Sequence, residues 1–117
     1  MITSARLAGF AFCIAALIPT AGWAGPAADY PTEAVVDYVL GCMQSNGQTR
    51  QALERCSCSI DVIASIIPYE RYETAETFRR MALTTGEASS LFRETAPARA
   101  AGSDLRRAQA EADIRCF

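Results

Sequence analysis

From residue 31 onward, apolar side chains recur at steps of three and four, and no stretch alternates with period two for long enough to make a strand. Val35, Val36, Val39, Leu40 and Met43 mark a first helix, opened at Pro31-Thr32 with Thr32 as N-cap and closed at Asn46-Gly47, where glycine allows the left-handed stop. The strongest periodic signal follows: Leu53, Cys56, Ile60, Ile63 and Ile67 make one apolar stripe behind a capping Thr49. The short connection turns these two helices into an antiparallel hairpin. Pro68 ends the second helix and starts a third through Tyr69, Tyr72, Phe78 and Met81. Thr84 and Glu87 have the spacing of a capping box ahead of a short helix with Leu91 and Phe92, which Ala96-Pro97 interrupts. A final alanine-rich helix carries Leu105, Ala108, Ala112 and Cys116 on one stripe, its small side chains suited to close approach. The fold class predicted is all-α: a small disulfide-stapled helical bundle built on an antiparallel helical hairpin.

The beginning of the chain has another pattern. Arg6 precedes a continuous apolar run from Leu7 to Ile18, and small residues at Ala21, Gly22 and Ala24 suit a cleavage site. Residues 1–24 therefore read as a signal peptide and 25–117 as a single helical domain. The apolar run falls short of the roughly 20 residues that span a bilayer, so no membrane association is expected after cleavage. Cys13 and Trp23 leave with the leader.

Removing Cys13 leaves Cys42, Cys56, Cys58 and Cys116, an even set in a small exported domain. Oxidising compartments turn such sets into disulfides, whereas zinc sites favour paired Cys-x2-Cys units and thioredoxin-like enzymes a Cys-x-x-Cys. Cys56 lies on the apolar stripe beside the hairpin tip, opposite Cys42, so the two Cα atoms can reach the roughly 4.4–6.8 Å a bridge requires. At about 100° per residue Cys58 points nearly opposite to Cys56, which leaves Cys116 as its partner. In the chain-entropy account the shorter loop contributes about 3 kcal/mol and the longer one about 4.

The 117 residues are 50% hydrophobic, with net charge −2 and no histidine. That excludes Ser-His-Asp and Cys-His catalysis and haem attachment through Cys-x-x-Cys-His. Every basic residue is arginine, and no basic face for a nucleic-acid backbone is expected. What remains is carboxylate chemistry. Glu70, Glu73 and Glu76 are spaced by three at the start of the third helix, with Asp61 within expected reach across the Pro68 corner. Such a set can hold a hard cation, a lanthanide or calcium ion, and an ion with open coordination positions could bridge two copies as a homodimer. Arg79 and Arg80, three and four residues after Glu76, equally suit ordinary surface ion pairs.

The run Tyr30-Pro31-Thr32-Glu33, then Val36-Asp37-Tyr38-Val39, Gly41-Cys42-Met43, Asn46-Gly47 and Cys56-Ser57-Cys58-Ser59-Ile60-Asp61 resembles a group of small exported proteins. These are landiscernin-like proteins encoded beside quinoprotein alcohol dehydrogenase and lanthanide-uptake genes of methylotrophic and related bacteria. The resemblance implies a periplasmic location, a hard-metal or dehydrogenase accessory role, and association with lanmodulin or a quinoprotein dehydrogenase; it assigns no ligands. Three function classes follow: a non-enzymatic metal-binding protein, a structural accessory docking on a larger periplasmic enzyme, and a thiol-disulfide redox protein using Cys56 and Cys58.

Overall fold

The computed structural model describes residues 26–84 and 86–117; the expected signal peptide, with Cys13 and Trp23, lies outside them. A 3-10 turn, Pro26–Asp29, leads into α1 (Thr32–Asn46), α2 (Arg50–Ile66), α3 (Tyr69–Ala82), α4 (Ala88–Glu94) and α5 (Ala96–Cys116). No strand occurs among the described residues, and the chain is an all-α disulfide-containing bundle. Among the same residues no helix is long and apolar enough to cross a membrane.

The α1–α2 hairpin forms because its ends are chemically satisfied. Gly47, at φ 99°, takes the left-handed backbone that side chains resist, and its N–H reaches the Met43 carbonyl at 2.8 Å. The Thr49 hydroxyl accepts from Ala52 N–H at 3.1 Å, capping α2. At the other end of α2, Pro68 offers no N–H, and the buried Ile67 carbonyl is answered by the Tyr30 hydroxyl at 2.9 Å.

α2 is the central element, packed on α5, α1 and the N-terminal turn, while α3 packs on α5 and α4. Cys56, Ile60, Ile63 and Ile67 meet Leu105, Ala108 and Ala112 of α5 in one core with Tyr72 and Ala75 of α3. Ala108 and Ala112 have no exposed surface, which places α5 close against α2. Each buried isoleucine is worth about 1.5–3 kcal/mol of apolar transfer.

Several local expectations change. Leu53 is 39% exposed and Ala52, four residues before Cys56, is buried instead. The buried face of α2 is rotated toward Ser59, whose hydroxyl pairs with that of Tyr38 at 2.8 Å. On α1 the inward face is accordingly Val35, Tyr38, Val39, Cys42 and Met43, leaving Val36 and Leu40 exposed. Pro31 rather than Thr32 occupies the N-cap of α1. The Thr84–Glu87 capping box does not form: the Thr84 hydroxyl turns back to the Met81 carbonyl at 2.6 Å, and Glu87 itself takes the N-cap position of α4 in helical geometry.

Candidate functional site

A disulfide fixes where α1 sits against α2. Cys42 is bonded to Cys56 and Cys58 to Cys116, each with Cα atoms 5.8 Å apart. Cys56 and Cys58 thus belong to different bridges, and Cys56 is fully buried. Two such bridges are the chemistry of an oxidising, extracytoplasmic compartment.

Stapled to α2, α1 stands away from α3 and leaves a groove of about 400 Å³ between them. Glu33 and Asp37, one turn apart on α1, face Glu73 and Glu76 of α3 across it, with Tyr69 and Tyr72 as its aromatic surface and Arg80 at its edge. The four tyrosines make one cluster: Tyr30 lies 5.2 Å from both Tyr69 and Tyr72, and Tyr38 lies 6.5 Å from Tyr72.

Burial and the groove carboxylates both act on the tyrosine hydroxyls. Desolvation raises the Tyr69 hydroxyl above its ordinary pKa, with the charges of Glu73 and Glu33 adding to it. Burial pushes Tyr72 up still further, helped by Glu76, by Tyr38 and Tyr30, and by Asp37. Two guanidiniums offset part of the charge. Arg79 grips Glu76 with both fork nitrogens, at 3.1 and 2.7 Å, which raises its own pKa, and Arg80 pairs with Asp37.

The predicted ligands separate accordingly. Glu73 and Glu76 line the groove, but Glu70 is exposed outside it, in the first turn of α3, its carbonyl accepting from the Thr74 hydroxyl at 2.7 Å. Asp61 is exposed and also outside the groove, because five residues from Cys56 carries it far round α2 from the buried face. Among the described residues no three Asp, Glu or Cys side chains are gathered as a ready metal site. Sequence reasoning missed Glu33 and Asp37. Their signal is an i, i+4 carboxylate pair on the polar side of α1, which becomes meaningful only when α1 is seen to face α3.

No protein-family model, curated protein or solved structure matches the chain.

Proposed function

We propose that the chain is a non-enzymatic periplasmic binding protein, exported by its N-terminal signal peptide, that carries a hard cation of the lanthanide type in the groove between α1 and α3. The observation that supports this reading is that four carboxylates from two helices, Glu33 and Asp37 with Glu73 and Glu76, line one tyrosine-lined groove, although no three of them are gathered into a ready site. A hard cation takes six or more oxygens in adaptable geometry, so these side chains, once turned toward one ion and completed by water, would supply its donors. Capture is an exchange of cations: the ion displaces Arg79 from Glu76 and Arg80 from Asp37. The Arg80–Asp37 pair is exposed on both sides and holds only about 0–1 kcal/mol, whereas Glu76 is 13% exposed and gripped by both Arg79 nitrogens, so Arg79 is the harder of the two to displace.

The test is calorimetric titration of the metal-free protein with lanthanum. Glu33→Gln and Asp37→Asn should each weaken binding at least several-fold, whereas Glu70→Gln and Asp61→Asn should leave it unchanged. Equal losses from all four variants would mean diffuse surface attraction, and no heat would remove the carrier reading.

A second reading, an accessory that docks on a larger periplasmic enzyme such as a quinoprotein dehydrogenase, draws on Leu83, Leu91 and Ile114, exposed by 75%, 60% and 80%. Exposed apolar side chains of this size favour contact with another surface when they form a patch. Complex formation with no lanthanum heat would favour it.

A further inference from the structure

On another side of α3, a smaller cavity has the opposite electrostatic character. It measures about 240 Å³, lies between α3, α4 and α5, and is floored by Phe78 and Phe92, whose ring centroids are 6.2 Å apart. Arg93, Arg99 and Arg106 line it. Among the described residues six arginines are in ion pairs, Arg50, Arg71, Arg79, Arg80, Arg107 and Arg115. Arg55 lies over the Phe117 ring, and the other three arginines without a carboxylate partner are those at this cavity. Arg79 reaches the cavity too, with its charge committed to Glu76. Three guanidiniums without a carboxylate partner lining one cavity with an aromatic pair are unexpected in a chain of net charge −2.

Gly102 makes the arrangement possible. It sits one turn before Arg106 on α5, and a Cβ there would stand 3.1 Å from the Arg106 Nη1, so the missing side chain is the space into which that guanidinium folds. Arg93 uses one nitrogen weakly, on the Ala82 carbonyl at 3.4 Å, and keeps its other donors.

We propose that this cavity binds a small organic anion with an apolar tail, of the alkyl carboxylate class. The carboxylate is held by the Arg99 and Arg106 forks, whose planar geometry matches its two oxygens, and the tail lies on the Phe78–Phe92 pair. The volume is below the roughly 300–1,000 Å³ of sites for drug-sized ligands, which limits the tail to a short chain rather than a full lipid. The site shares no carboxylate with the cation groove, and its anion contacts are assigned to Arg99 and Arg106 rather than to Arg79, which lines this cavity and pairs with Glu76 of the groove.

The experiment is titration of the whole mature protein with octanoate, followed by calorimetry and by aromatic chemical shifts, with octylamine, octanol and inorganic phosphate as comparison probes. Octanoate should bind with saturation and shift the Phe78 and Phe92 resonances. The double variant Arg99→Gln/Arg106→Gln removes only exposed charges and should lower affinity at least tenfold with an unchanged melting curve. Gly102→Leu, which fills the space beside Arg106, should abolish binding in a folded helix. The proposal is overturned if octanol or octylamine binds as tightly, which would leave only apolar contact, if phosphate equals octanoate, which would leave only a surface anion site, or if octanoate is insensitive to the arginine variants.

Discussion

Tyr30 joins the ends of two elements through one atom. Its hydroxyl satisfies the buried Ile67 carbonyl, and its ring stands edge-on to Tyr69 at 5.2 Å. Burial, reinforced by Tyr69, raises its pKa from 10.0 to about 12. The folded state therefore keeps a proton that the unfolded chain gives up in this interval. Stability from Tyr30 is fully present below pH 10 and is lost as pH rises through about 12, an effect of about 2–3 kcal/mol for a shift of this size. Urea midpoints should fall steeply between pH 10 and 12, with Tyr72 acting in the same direction. Tyr30→Phe should cost about 1–3 kcal/mol at pH 7, because it leaves a buried carbonyl unanswered, and should flatten the alkaline decline. A variant with wild-type stability at pH 7 would show that water replaces the hydroxyl without loss.

At the level of elements, α5 carries most of the tertiary burden of the second half of the chain, yet it contains a glycine in its interior. Among the described residues a Cβ at Gly102 would crowd only the flexible end of Arg106, so Gly102→Ala should stabilise the fold by up to about 1 kcal/mol, measurable as a higher melting temperature. The bridge that ties this helix to α2 spans 58 positions. Cys58→Ala/Cys116→Ala should cost about 4 kcal/mol in the chain-entropy account, a large share of a small domain's net stability. Retention of the full melting temperature would show that the Ile63–Ala108 interface suffices alone. Much of this was legible in sequence. The isoleucine stripe, the Thr49 cap, the Gly47 stop and the small-residue face of α5 are local patterns tied to helical geometry. What was not legible depended on the angle between helices. Leu53 and Ala52 flank the same stripe, and only the rotation that brings Tyr38 onto Ser59 decides between them. The Thr84–Glu87 spacing satisfied a motif, but the Met81 carbonyl at the end of α3 competed for the threonine hydroxyl.

The whole molecule separates its charges more than its net value implies. Glu33, Asp37, Glu73 and Glu76 gather on the groove between α1 and α3, while Arg93, Arg99 and Arg106 gather on the cavity between α3, α4 and α5. The carboxylates spaced along α3 pointed to a cation site in sequence, but half of the carboxylates that line the groove come from α1, whose place is fixed by the Cys42–Cys56 bridge. Glu70 and Asp61 had the right chemistry on surfaces that do not meet. The groove brings its own reporter, because Tyr69 and Tyr72 line it together with the four carboxylates. The most direct measurement is terbium emission on excitation in the tyrosine band, with the metal-free mature protein at micromolar concentration. Sensitised emission should saturate, be displaced by lanthanum, and be largely lost in Tyr69→Leu and in Asp37→Asn/Glu73→Gln. Absence of sensitised emission, or emission indifferent to both variants, would contradict a cation site in the groove.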